Sequence, residues 1–317
     1  MASFKIIEIM DSRQLRYFAA IHDHGSLSGA ANNLHVATSA LSHHLANLEA
    51  DLGTKLFIRR PRGLTPTAAG ERLYDHARAI LRSMEAAEQD VRGEARDVAG
   101  EVSIGMAHSA VKAIGLELIE TVLRDYPRLK LSLSESLSGS TLVHLMSSEV
   151  DLAVVYNPPQ DAALRIQAVL EERMVCVGRP ELIGETGTPI TFHDLLDLPI
   201  ILLKQGLSAR ALMDDVNLLK KLEARARLHL NSVSAIAGAL GAGLGCAIGT
   251  SLFMQDQLKS GDLVSRPIIE PELSRTLYVC ELSDRPATFA LERVRSLILQ
   301  LIFDAIAKSR WEAVAAK

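Results

Sequence analysis

The sequence predicts a small helical head with a β hairpin, a long connecting helix and a two-lobed α/β body. Three observations carry that prediction: three short apolar-periodic segments within Ser12–Thr67, a regular seam from Leu73 to Val91, and alternating strand and helix patterns from Glu101 to Ala307. At 317 residues, with 48% hydrophobic and 23% charged, the chain suits two or three domains with ample core.

In the head, Leu15, Phe18 and Ala19 mark one face of a first helix that stops at Asp23-His24-Gly25. Ser26 is the expected cap of a second, short helix bearing Ala30, Ala31 and Leu34. Thr38 is the expected cap of a third, where Leu41, Leu45, Leu48 and Leu52 recur at intervals of four, three and four. That spacing makes one buried stripe. The opposite face offers Ser39, Ser42, His43 and Ala46, short or planar side chains that can approach base edges closely. Lys55–Pro66 (KLFIRRPRGLTP) follows as two short strands around Pro61-Arg62-Gly63. Arg59, Arg60 and Arg62, with no acid between Leu52 and Gly70, suit that hairpin to phosphate. The expected DNA-binding set is therefore Ser26, Thr38, Ser39, Ser42, His43, Arg59, Arg60 and Arg62, and the expected partner is double-stranded DNA.

Charge supports a local contact rather than a coating of nucleic acid. The net charge is −4, yet residues 1–66 carry seven Lys/Arg against five Asp/Glu, while the remainder carries 27 against 33. Cys176, Cys246 and Cys280 are odd in number and widely spaced, so they imply neither a disulfide framework nor a metal knuckle, and they suit a reducing cytoplasm. Met1–Met10 lacks the apolar core and cleavage site of a signal peptide, with Met10 an alternative start, and no run of residues is long and apolar enough to span a membrane.

Thr65 and Pro66 are the expected cap and first residue of a long helix running to about Arg96. Leu73, Ala77, Ile80, Met84, Ala87 and Val91 recur at intervals of four and three, a coiled-coil type of seam. The dimerisation set is Leu73, Ala77, Ile80, Met84 and Val91; a helix packed on its own domain is the plainer alternative. A dimer would hold two recognition helices at fixed separation over an interrupted inverted repeat. The head is assigned to residues 1–65, the connecting helix to 66–97 and the body to 98–317.

In the body, Glu101–Met106, Lys130–Glu135 and Asp151–Tyr156 read as strands around helices Ser109–Asp125 and Gly139–Ser148. Strands Arg173–Gly178, Ile200–Leu203, Ala226–Leu230 and Leu244–Ile248 follow, with helices Leu207–Glu223 and Ser232–Ala242 among them. Arg275–Glu281 is a late strand and Ala287–Ala307 a last helix. Such alternation supports two α/β lobes that bind ligands at the carboxyl ends of their strands.

The head resembles the LysR-type transcriptional regulators. The resemblance rests on Leu15-x-x-Phe18, Gly25-Ser26-Leu27, Ala30-Ala31-x-x-Leu34, Ala40-Leu41-Ser42, Leu48-Glu49-x-x-Leu52-Gly53, Leu56-Phe57-x-Arg59 and Leu64-Thr65-x-x-x-x-Gly70. Ala37-Thr38 replaces the family's usual Ser-Gln before the recognition helix, and His43 stands where arginine or glutamine is common. Gly25-Ser26-Leu27 through Leu34-His35 and Tyr74-x-His76-Ala77-Arg78-Ala79-Ile80-Leu81-Arg82 are most similar to the nitrogen-assimilation-control subgroup. The resemblance implies a winged helix-turn-helix, an effector domain like periplasmic binding proteins, and a homodimer assembling to a homotetramer. RNA polymerase would be a partner of an activator. It also implies two chain crossings, placed near Val169 and Leu273, giving lobe I as 98–169 with 273–317 and lobe II as 170–272. The subgroup acts without a small-molecule inducer, so an effector-independent regulator stands beside an effector-modulated one.

No catalytic constellation emerges, and no cofactor or metal is expected. Gly25-Ser26-Leu27-Ser28-Gly29 has leucine where a nucleophile elbow needs serine. Gly238–Gly249 (GALGAGLGCAIG) lacks the order and the lysine of a phosphate loop. His43-His44 are adjacent, so they point apart on a helix. A two-lobed receptor or enzyme is the competing class; it would need an export signal or a catalytic cluster. Hydroxyls do recur where strands hand over to helices: Ser109, Ser138, Ser140, Thr141, Ser208 and Ser232. Helix N-termini with such donors suit a small anion, and Ser109, Ser138, Thr141, Ser208 and Ser232 form the expected effector set. Plain helix capping is the alternative for each; Lys112, Lys204 and Arg210 are candidate charge partners.

Overall fold

The computed structural model describes residues 10–61, 63–92, 98–203, 215–285 and 287–316. Arg62, Lys204, Ser208 and Arg210, the first nine residues and the expected end of the connecting helix lie outside that set. The chain forms two compact units that divide after Gly93.

The first unit holds α1 (Ser12–His24), α2 (Leu27–Leu34), α3 (Thr38–Asp51), the hairpin β1 (Phe57–Arg60) and β2 (Gly63–Pro66), and α4 (Ala68–Arg92). Asp11 and Gln14 close a capping box at the start of α1, and Gly25 ends it in the left-handed conformation. Ser26 caps α2, its Oγ accepting from Gly29 N at 3.1 Å. Leu15, Phe18, Ile21, Ala30, Leu41, Leu48 and Leu56 converge on one core.

Two caps differ from expectation. Ala37 flanks α3 and offers no side-chain bond, so Thr38 is the first helical residue and not the cap. Thr65 and Pro66 belong to β2, and α4 starts two residues later. Thr67 Oγ1 accepts from Gly70 N at 3.0 Å there and donates to Lys55 O at 2.7 Å, tying the helix start to the hairpin. Gly70 is required by close approach, since a Cβ would meet Leu56 O at 2.2 Å.

The second unit has β3 (Ala99–Met106), α5 (His108–Ala110), a π turn (Val111–Gly115), α6 (Leu116–Asp125), β4 (Arg128–Glu135), α7 (Ser138–Met146), β5 (Leu152–Tyr156) and β6 (Leu164–Arg173). Then come β7 (Val175–Gly178), α8 (Pro180–Ile183), β8 (Ile190–Thr191), α9 (Phe192–Leu195), β9 (Ile200–Leu203), α10 (Val216–Arg225), β10 (Leu228–Leu230) and α11 (Val233–Gly241). It closes with β11 (Cys246–Gly249), α12 (Gln255–Ser260), β12 (Val264–Ile269), β13 (Ser274–Leu282), α13 (Phe289–Ala307) and β14 (Val314–Ala315).

One sheet runs β14-β6-β13-β5-β3-β4 and the other β10-β9-β11-β7-β12-β8. In the first, β5 is buried at all five residues between parallel β3 and antiparallel β13, as a continuous apolar run requires. Helix α13 covers that sheet with Val294, Ile298, Leu301 and Ile302. The second sheet buries Cys176, Ile200, Leu202, Cys246 and Ile248 on one face and Val177, Ile201 and Ala247 on the other.

Strand β6 was not expected. Its outward residues Arg165, Gln167, Glu171 and Arg173 interrupt the apolar pattern, yet it pairs with β13 from Leu164↔Leu282 to Arg173↔Ser274. The chain therefore stays in the first sheet beyond Val169 and changes sheet at Met174, whose N donates to Leu273 O at 2.8 Å beside the returning segment.

Candidate nucleic-acid interface and effector pocket

The head gathers its expected contact residues on α3 and the hairpin. Thr38, Ser39, His43, Ala46 and Asn47 are exposed on α3, with Ser42 half-buried. Ser26 is half-buried and committed to its cap, with the Gly29 amide on its oxygen. Arg59 and Arg60 are exposed on β1, opposite Leu64 and Gly63. Successive strand residues point to opposite faces, so these two arginines diverge. Leu64 N donates to Gly25 O at 2.7 Å and anchors the hairpin to the turn between α1 and α2. Gly63 has φ +134°, and a Cβ there would lie 2.4 Å from Gly25 O, so only glycine allows this docking.

A buried carboxylate holds α3 to the hairpin. Glu49 accepts from Leu56 N at 2.9 Å, Phe57 N at 3.3 Å and Lys55 Nζ at 2.6 Å. Burial alone would raise its pKa, but the Lys55 bond and the two amides outweigh that and hold it below its ordinary value.

The connecting helix splits the expected seam. Ala77 is fully buried and Leu73 half-buried within the head's own core, so Ala77 packs inside its domain and is not a dimer contact. Ile80 and Met84 are 40% and 44% exposed and face away from that core. The side chain of Val91 lies outside the described residues.

In the second unit, the expected hydroxyls divide. Ser109 and Ser138 line a narrow pocket between the two sheets. Thr141 does not reach it. Its hydroxyl is bonded to Ser136 Oγ at 2.6 Å and Leu137 O at 3.2 Å, and its methyl packs where a Cβ on Gly105 would be. Ser232 caps α11 by accepting from Ala235 N and is exposed, while its neighbour Val233 lines the pocket.

The pocket's strongest polar groups escaped the sequence. Arg275 and Tyr156 both line it and are 6% and 2% exposed. Arg275 Nε and Nη2 lie 2.7 and 2.6 Å from Glu172 Oε1, and its guanidinium stacks 3.6 Å from the Tyr156 ring. Nη2 also reaches Ser109 Oγ at 3.1 Å and Thr250 Oγ1 at 3.4 Å, and Trp311 Nε1 donates to Glu172 Oε2 at 2.7 Å. Among the described residues the Tyr156 hydroxyl is buried with no partner in hydrogen-bond geometry, although Glu172 and Ser109 lie close enough to influence it. Burial pushes this phenol well above its ordinary pKa, so it remains protonated and able to donate. The only signal available was the placement of Arg275 and Glu172 near the expected crossings.

Gly238–Gly249 ends α11 and enters β11, with a Cβ on Gly245 only 2.3 Å from Pro199 O; close packing explains its glycines. All three cysteines are buried and free. Among the described residues no group of three or more His, Cys, Asp or Glu could hold a metal, and no helix is long and apolar enough to cross a membrane.

A winged helix-turn-helix followed by a two-sheet ligand-domain fold defines a DNA-binding transcriptional regulator. The bacterial regulatory helix-turn-helix model of the LysR family matches residues 12–71, and the LysR substrate binding domain model matches residues 95–302. The chain belongs to the LysR family. It is 35% identical over 241 residues to the nitrogen assimilation regulatory protein nac of Escherichia coli strain K12, covering 75% of this chain and 78% of that protein. It is 32% identical over 206 residues to the HTH-type transcriptional regulator BbuR of Bordetella bronchiseptica, covering 65% and 63%. In fold it is similar to a full-length OxyR variant from Pseudomonas aeruginosa, with a TM-score of 0.69 and 18% identity over 92% of this chain and 94% of that one. Full-length CbnR complexed with its target DNA gives a TM-score of 0.61 and 20% identity over 93% and 100%.

Proposed function

We propose that this LysR-type regulator acts in the cytoplasm as a homodimer assembling to a homotetramer on an interrupted inverted repeat, and that a small ligand in the interlobe pocket adjusts its grip on DNA. The observation that carries the DNA reading is the exposed face of α3 together with exposed Arg59 and Arg60 on the hairpin, which Glu49 ties to α3 and Gly25 ties to the turn between α1 and α2. Two features support assembly: Ile80 and Met84 on α4, and the stripe Leu116, Ile119 and Leu123 on α6, 39–72% exposed. Ser109, Ser138, Arg275 and Tyr156 line the pocket and are the groups we assign to the ligand.

A ligand preferring one lobe arrangement shifts the equilibrium by its differential affinity, about 1–3 kcal/mol for a typical coupling. Full-length protein heated with acetate, succinate, glutamate or benzoate should show a higher midpoint with at least one, and the DNA footprint should change with that compound. A second reading rests on the same pocket. Arg275 is already neutralised by Glu172, and Thr141 is already bonded to Ser136, so neither group requires an anionic ligand. Identical midpoints and identical footprints with all four compounds, and with cell extract, would favour that effector-independent regulator.

A further inference from the structure

Helix α3 carries two adjacent histidines in different surroundings. His44 is half-buried, its ring edge-on to Tyr17 with centroids 5.0 Å apart and planes at 68°, so it belongs to the packing between α1 and α3. His43 is exposed, and its Nε2 lies 3.2 Å from Nδ2 of Asn47, one turn further on. An amide nitrogen carries hydrogens and no free lone pair, so it donates and Nε2 accepts. Nδ1 is then the ring nitrogen that carries the N–H. Asn47 thereby selects one tautomer of the outward-facing imidazole.

We propose that His43 reads a purine by a single hydrogen bond from Nδ1–H to N7, and that Asn47 is the positioning residue that keeps His43 in the tautomer able to donate it. The proposal rests on α3 lying in the major groove. There guanine and adenine both present N7 as an acceptor, thymine presents O4 beside its C5 methyl, and cytosine presents its N4 donor. An arginine at position 43 would fork onto guanine N7 and O6 and select guanine; one ring N–H cannot fork, so either purine is accepted. Ser39 and Ser42 are shorter and add contacts to either donors or acceptors, leaving His43 to set the purine choice on this face.

The test uses the full-length protein and an operator selected from random DNA by sequencing the bound fraction. Each purine of a half-site is exchanged in turn for its 7-deaza analogue, which keeps base pairing and removes the N7 acceptor. One position, tolerant of both adenine and guanine, should lose about three- to tenfold in affinity with the natural protein. His43→Ala should abolish that sensitivity, His43→Arg should narrow the position to guanine, and Asn47→Ala should cut the sensitivity although His43 is intact. Alanine is the better helix former, so Asn47→Ala keeps α3 folded, and an unchanged thermal midpoint verifies it. Absence of any purine whose N7 sensitivity depends on residue 43 would overturn the proposal. Full N7 sensitivity in Asn47→Ala would overturn the role given to Asn47. Failure to select any operator would instead strike at the DNA reading itself.

Discussion

Arg275 and Glu172 face each other on β13 and β6, the two strands next to the points where the chain passes between sheets, with Nη2 2.6 Å from Oε1. Both are almost wholly buried, and Trp311, Ser109 and Thr250 complete the cluster. A buried pair of this kind is costly to halve, because the remaining charge loses its partner without regaining water. Arg275→Met or Glu172→Gln alone should cost about 3–5 kcal/mol. The double replacement Arg275→Met with Glu172→Gln should cost clearly less than the sum. Urea titration followed by the fluorescence of Trp311, the chain's one tryptophan, reads this unit directly. Additive losses would show that the two residues do not act as a pair.

Glu49 makes the head's stability depend on acid. Its folded-state pKa lies below the ordinary glutamate value near 4.3. A depressed carboxylate contributes stability that is fully present above the ordinary value and is lost as pH falls through the depressed one. Thermal midpoints of the head's transition should therefore decline below about pH 4.3, and less steeply in Glu49→Gln. Glu49→Ala leaves the Leu56 and Phe57 amides without their acceptor, at about 1–3 kcal/mol, measured at neutral pH.

Helix α4 carries a buried and an exposed apolar residue within one turn, Ala77 and Ile80. Ala77→Asp places a carboxylate in the head's core and should unfold the head. Ile80→Asp changes a 40% exposed residue and should leave the head folded while weakening the dimer. Sedimentation with circular dichroism distinguishes the two outcomes. An unchanged assembly in Ile80→Asp would remove α4 from the dimer contact.

Much of this was legible in the sequence because local patterns and tertiary packing agree. Leu41, Leu45 and Leu48 give α3 its stripe, and Ser26 caps α2 as its type and place suggest. Helix starts were displaced where a neighbouring strand competes: Thr65 and Pro66 are good capping residues, yet pairing with Ile58 and Phe57 draws them into β2. Strand β6 was hidden because only part of it is buried, leaving a polar alternation with no turn signal before Met174. The pocket was half legible. Ser109 and Ser138 follow their strands directly, whereas Arg275 and Tyr156 meet only through the pairing of β13 with β5 and β6. Sequence spacing carries no trace of such a meeting.

In the head, labour is expected to divide, with α3 reading bases and the hairpin holding phosphate. Quantitative footprint titration of Ser42→Leu and Arg59→Ala, on the selected operator and on random DNA across a salt series, tests it most directly. Ser42→Leu should lose about 1–3 kcal/mol on the operator and nothing on random DNA. Arg59→Ala should weaken both alike and lower the salt slope by about one. Equal losses on both DNAs for both variants, with unchanged salt slopes, would contradict it.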